Sequence, residues 1–161
     1  MNKVILGILF SSLTVGAYAA TEKEAERLVK KYSETVACQL EETKYTAVKV
    51  ESESVNGLGD IFLVHWDGDI GCGGGNGTVL SNFSMVSQRT PQGGRALIVD
   101  GEAVLPEMDI RYVQNLSIKN GVISIKGVAW ADNPKSQADI TKPVSYKLKY
   151  VSDDGKFIKV K

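Results

Sequence analysis

Leu116-Ser117-Ile118-Lys119-Asn120-Gly121-Val122-Ile123-Ser124-Ile125-Lys126 decides the fold class. Apolar and polar residues alternate on both sides of Asn120-Gly121, the period of a half-buried strand. Asn-Gly suits the type I′ turn, whose two central residues take positive φ and whose twist matches that of the flanking strands. The stretch is therefore a β-hairpin, with its second strand running on to Trp130. Pro143 to Val151 and Lys156 to Val160 repeat the pattern around Asp153-Asp154-Gly155.

Upstream the reading is also strand and turn. Tyr45 to Val50 and Ile61 to Trp66 are β-rich runs separated by Asn56-Gly57-Leu58-Gly59, and Val79 to Val86 alternates as a longer strand. Ala96 to Val99 and Glu102 to Leu105 flank Asp100-Gly101 as a further expected hairpin. Ala131 to Lys142, containing Pro134, has no clear period. Before all of these, Thr21 and Glu24 fit a capping box, and Ala25, Leu28, Val29, Tyr32 and Val36 follow the 3.6-residue period. That is an amphipathic helix ending near Ala37 or Cys38. The fold class is α+β: one N-terminal amphipathic helix packed on a curled antiparallel sheet, as a meander or half-barrel.

In the last two hairpins the pleat sorts the side chains. Leu116, Ile118, Ile123, Ile125, Tyr146, Leu148, Tyr150, Ile158 and Val160 are expected on one face. Lys119, Lys126, Lys147, Lys149, Lys159 and Lys161 are expected on the other, where they either solvate an exposed sheet or bind a partner.

The first twenty residues fix the compartment. Lys3 precedes an apolar run from Val4 to Val15, and Ala17-Tyr18-Ala19 is a small-x-small cleavage pattern. Residues 1–19 read as a cleaved signal peptide of bacterial type, followed by one α+β domain over 20–161. The absence of Cys after the cut argues against a lipoprotein. The expected location is the periplasm or the exterior, with no membrane span left after cleavage. In that setting Cys38 and Cys72 read as a disulfide. Asn76-Gly77-Thr78, Asn82-Phe83-Ser84 and Asn115-Leu116-Ser117 match the glycosylation sequon. A bacterial export signal makes these chance matches.

Charge excludes one class of partner and suggests another. The mature chain carries 19 acidic and 18 basic residues, which argues against non-specific attraction to nucleic acid. The distribution is uneven, with 11 acidic and 4 basic residues from Cys38 to Ile110, then 4 acidic and 10 basic from Arg111 to Lys161.

The segment from His65 to Thr78, His65-Trp66-Asp67-Gly68-Asp69-Ile70-Gly71-Cys72-Gly73-Gly74-Gly75-Asn76-Gly77-Thr78, is where chemistry would sit. It lacks the Lys of a Walker loop and the spacing of a dinucleotide fingerprint. Asp67 and Asp69 suit the first two ligands of a calcium loop, but Gly71, Cys72 and Thr78 fill later EF-hand positions, and Asp60 would help only if the fold brought it near. Cys72 and His65 form a conceivable nucleophile–base pair, which a disulfide would silence. With one histidine a His-rich zinc site is excluded. The reading that remains is a shaped loop, pinned at Cys72, presenting Trp66, Asp67, Asp69, Gly73, Gly74 and Asn76 to a partner. Lys126, Lys147, Lys149 and Lys159 form a secondary basic face. The function expected is a small exported binding protein without catalysis or cofactor, an inhibitor or immunity-type partner of a cell-envelope enzyme. The alternative is a periplasmic hydrolase or ligand carrier using Asp67 and Asp69.

Overall fold

A computed structural model of the chain describes residues 19–40, 44–52, 59–73, 79–88, 96–136 and 139–161. Residues 1–18 of the expected signal peptide, and Gly74 and Asn76 of the expected partner-binding loop, lie outside them. One helix, α1 (Glu22–Val36), precedes nine strands: β1 (Gln39–Leu40), β2 (Thr46–Glu51), β3 (Ile61–Asp69), β4 (Leu80–Ser87), β5 (Ile98–Glu102), β6 (Tyr112–Lys119), β7 (Val122–Ala129), β8 (Lys142–Val151) and β9 (Lys156–Lys159). Every strand pairing is antiparallel. The molecule is thus mostly β, with the helix inside the chain rather than at its start.

The single curled sheet expected from the sequence is in fact two. β1 and β2 both pair one edge of β3, and β4 and β5 follow, while β6 to β9 form a separate four-stranded meander. The break comes from Asp100-Gly101, which does not turn the chain. β5 runs straight through it, with Asp100 as an extra, bulged residue opposite Met85 and Val86 of β4 and Gly101 beside it at φ +110°. A type I′ turn needs two positive-φ residues, and here only Gly101 takes one. The chain then continues without regular structure from Ala103 to Ile110 before entering the second sheet. By contrast, Asn120 and Gly121 lie at φ +52° and +73° and make the expected turn.

Three layers result. Val48, Leu63 and Phe83 of the first sheet meet Leu116, Ile123, Ile125, Leu148 and Phe157 of the second. On the far side of the first sheet, Ala25 and Val29 of α1 meet Phe62, Val64, Trp66 and Val86. The helix begins as expected: Thr21 accepts from the Glu24 N–H, and Glu24 accepts from the Thr21 N–H. Its buried stripe adds Ser33, whose hydroxyl donates to the Lys30 carbonyl at 2.8 Å and lies 2.7 Å from the Tyr45 hydroxyl. Glu26 accepts the Ala47 N–H at 3.0 Å, occupying a donor on the edge strand β2.

The pleat of the second sheet holds for β6 to β8 and fails at β9. Tyr150 pairs Phe157, Lys149 pairs Ile158, and Leu148 pairs Lys159. Phe157 therefore enters the core, Ile158 faces outward, and Lys159 shares the face of Leu148, with its Nζ 5.1 Å from the centre of the Tyr146 ring. Lys159 thus leaves the basic face. The tight-turn register, not the local alternation, decides which parity points inward.

Adjacent residues of β8 test this layering. Leu148→Ala should lower stability by about 2–5 kcal/mol, because Leu148 is fully buried. Lys147→Ala should stay within about 0.5 kcal/mol. Urea unfolding of the two variants checks the pair, and equal losses would refute the inward assignment.

Candidate functional site at the pinned end of β3

β3 runs to Asp69, so His65, Trp66, Asp67 and Asp69 belong to a strand and not to a loop. Cys38 and Cys72 are bridged, with Cα atoms 5.3 Å apart. The Cys38 N–H donates to the Asp69 carbonyl at 2.9 Å, and β1 pairs Gln39 with Asp69 and Leu40 with Gly68. The helix end is thereby fastened to the end of β3 by a ladder and a covalent bond. Cys72 adopts φ +52°, a turn that L residues rarely take. The bridge also removes the Cys72–His65 nucleophile reading, since a bonded sulfur cannot attack.

Trp66, expected on a contact surface, is completely buried. Its alternation with His65 turns it toward α1, and its indole N–H donates to Ser84 Oγ at 3.0 Å. Gly68 makes the fit possible: a Cβ there would stand 2.6 Å from the Trp66 ring. Asp69 is buried, whereas Gly71, Cys72 and Gly73 are exposed.

On the opposite face of β3, His65, Asp67 and Ser81 come together. The Ser81 hydroxyl donates to Asp67 Oδ1 at 2.6 Å, and His65 Nε2 lies 3.2 Å from the same oxygen and 3.1 Å from Ser81 Oγ. The Val113 N–H of β6 donates to Ser81 Oγ at 3.0 Å, joining the two sheets. His65 is 4% exposed, with its ring tilted against Phe83 at a centroid distance of 5.4 Å. The three residue types are those of a hydrolytic triad, but the wiring differs. A triad places the acid and the hydroxyl on different imidazole nitrogens. Here one nitrogen faces both, and the serine proton is already committed to the carboxylate. The cluster acts as a polar latch between the sheets. Sequence reasoning missed Ser81; the Asp67–Ser81 and His65–Phe83 register of β3 and β4 is the signal that finds it.

Burial raises the pKa of the Asp67 carboxyl. Hydrogen bonds from His65 and Ser81, with the charge of His65, outweigh that effect and hold it below the ordinary aspartate value. Asp60 lies at the other end of β3, ion-paired with Lys49 at 2.7 Å, and does not join Asp67. Among the described residues, no group of three His, Cys, Asp or Glu side chains is placed to hold a metal ion. Lys126, Lys147 and Lys149 are exposed on the outer face of the second sheet. No helix among the described residues is long and apolar enough to cross a membrane. No family model, curated protein or solved structure matches this chain.

The fastening and the latch each make a prediction. Closing 34 residues of chain should contribute about 2–5 kcal/mol, so Cys38→Ser and Cys72→Ser should each lose that much in oxidised urea unfolding. The double variant should lose no more than the larger single loss. For the latch, the unfolded state takes up the Asp67 proton first. Its contribution should be complete above about pH 4 and vanish as pH falls through the depressed folded value. Asp67→Asn should therefore flatten the acid limb of the stability–pH curve, with little change in slope near neutrality.

Proposed function

We propose that this chain is a small exported protein that works by binding, without catalysis, and that its partner is a protein of the cell envelope. An inhibitor or immunity-type role fits best. The observation that carries the reading is the Cys38–Cys72 bridge, which anchors the exposed residues Gly71, Cys72 and Gly73 to the end of β3. A segment held at its root loses less conformational freedom on docking than a free loop does. The disulfide also fits an oxidising, extracytoplasmic compartment, as the signal-like first nineteen residues suggest. The commitment of Asp67 to Ser81 and His65 weighs against a hydrolase or carrier that uses this carboxylate.

With Trp66 and Asp69 buried and Asp67 engaged by Ser81 and His65, the contact surface reduces to Gly71, Cys72 and Gly73, with Gly74 and Asn76 following in sequence. A second reading rests on Lys126, Lys147 and Lys149, which share the outer face of the second sheet and would dock an acidic surface.

Immobilised oxidised protein should capture an envelope enzyme from periplasmic extract and lower its activity when added back. The loop reading expects Gly73→Trp to weaken that inhibition by tenfold or more, with Lys147→Ala/Lys149→Ala neutral. The reverse pattern, with affinity falling steeply in salt, would move the contact to the sheet. Turnover of the captured molecule by this chain would refute a purely binding role.

A further inference from the structure

The ladder of the second sheet settles which side chains leave its core. Val128 pairs Tyr112 and Pro143, Lys126 pairs Asn115 and Ser145, and Ser124 pairs Ser117 and Lys147. These rows alternate with the buried Ile123, Ile125 and Ala129, so they form the outer face. Lys149 takes the next outward position of β8. Trp130 follows Ala129 with the same outward parity and is 40% exposed. No outward position of β6 to β9 carries an acid. Lys126, Lys147 and Lys149 are exposed, and none forms an ion pair among the described residues. The acids that follow Trp130 are engaged elsewhere, Asp132 by Lys142 and Asp139 by the Lys135 N–H and the Thr141 hydroxyl. A face of one sign attracts the opposite one.

Arg111 stands at the end of this face and adds an unmet requirement. It is 4% exposed, with its guanidinium against the rings of Trp130 and Tyr112. Ring faces stabilise the charge but accept none of its bonds in the plane of the guanidinium. Nε is enclosed and unbonded, and no hydrogen bond or ion pair engages the side chain among the described residues. Nε is also the only wholly enclosed nitrogen of the group, so the terminal pair stays within reach from outside. A guanidinium offers five N–H donors in a planar fork, which a carboxylate meets edge-on with two parallel bonds. Buried donors without acceptors are unfavourable, and an arriving carboxylate relieves that.

Spacing narrows the partner further. From the Tyr112 row, where the guanidinium lies, to Lys126, then Lys147, then Lys149, each step is two strand residues, about 6.8 Å. A second extended chain lying along the strands presents its same-side residues at that interval. Four acids at alternate positions would meet the four cations in turn.

We infer that the outer face of the second sheet is a docking surface for an extended acidic segment of another protein. One carboxylate sits on Arg111 beside Trp130 and Tyr112, and the following ones sit on Lys126, Lys147 and Lys149. This deepens the sheet reading given above and rests on it; the pinned segment at Gly71 to Gly73 is a separate contact.

Amide NMR of the whole oxidised chain at neutral pH tests it, with a capped peptide of alternating Glu and Ser carrying four Glu. Shifts should centre on Lys126, Ser145, Lys147 and the indole N–H of Trp130, while the indole N–H of the buried Trp66 stays in place. The dissociation constant should be about 1 mM at low salt and rise about tenfold at high salt. The Gln–Ser counterpart should not bind, and a peptide with its four Glu consecutive should bind severalfold more weakly. Lys126→Gln/Lys147→Gln, on exposed positions outside the core, should weaken the alternating peptide tenfold or more. Arg111→Lys keeps the charge but loses the fork, and should weaken it severalfold. Equal binding of the Gln–Ser peptide, an unchanged affinity in either variant, shifts confined to Gly71 to Gly73, or no shifts would overturn the proposal. None of these outcomes touches the enzyme capture expected of the pinned segment. Tighter binding of a sulfated oligosaccharide than of the peptide, at equal charge, would overturn it in favour of a polysaccharide.

Discussion

β3 is buried on both faces, and the rest of the molecule is arranged to keep it so. Phe62, Val64 and Trp66 require a cover on one side, and Ile61, Leu63 and His65 require one on the other. An antiparallel sheet ordinarily leaves a face to water. Here α1 supplies the first cover and the four-stranded meander the second. Because both cores share this strand, a displacement of β3 is felt in both, since close-packed interiors transmit strain. That shared dependence explains why the strand is fastened toward both of its covers. Near its C-terminal end the disulfide and the short β1 ladder hold it to the helix, and the latch holds it to β6.

Polar groups in this arrangement do the joining where apolar packing cannot. The Val113 N–H stands at a bulge in the β6–β7 ladder and finds its acceptor in Ser81 across the sheet boundary. Ser81 gives its proton to Asp67, so its hydroxyl both donates and accepts within the cluster. Arg111, two residues before Val113, is handled differently. It is 4% exposed, and among the described residues it has no carboxylate partner and an unbonded Nε. Its guanidinium lies 5.0 Å from the Trp130 ring centre and 5.6 Å from that of Tyr112. Ring quadrupoles stand in for a counter-ion. The Trp130 ring, itself partly exposed, thereby gains a structural task that its position after β7 does not announce.

The elements legible in the sequence were those whose signal is local. The Thr21–Glu24 capping box, the Ala25–Val29 stripe, the Asn120-Gly121 turn and the cysteine pair each need only a few neighbouring residues to be read. What was not legible depends on register and on layers. Ile61 to Trp66 reads as one apolar run, and a strand buried on both faces has no alternation to show which core each residue joins. Trp66 looked like a surface anchor because its neighbours are Asp and Gly. Only the position of Gly68 under its ring reveals that the glycine makes room for the indole. The split into two sheets was hidden in Asp100-Gly101, since the same dipeptide serves a hairpin turn or a bulge, and the choice lies with the partner strand.

The candidate site divides along the same line. The bridge was read from composition and compartment, whereas the latch required knowing that Ser81 stands opposite Asp67. Where the polar groups at an end of the space between the sheets satisfy one another, as His65, Asp67 and Ser81 do, the end is closed and chemically quiet. Satisfaction of buried polar groups, more than the presence of reactive residue types, marks this cluster as structural.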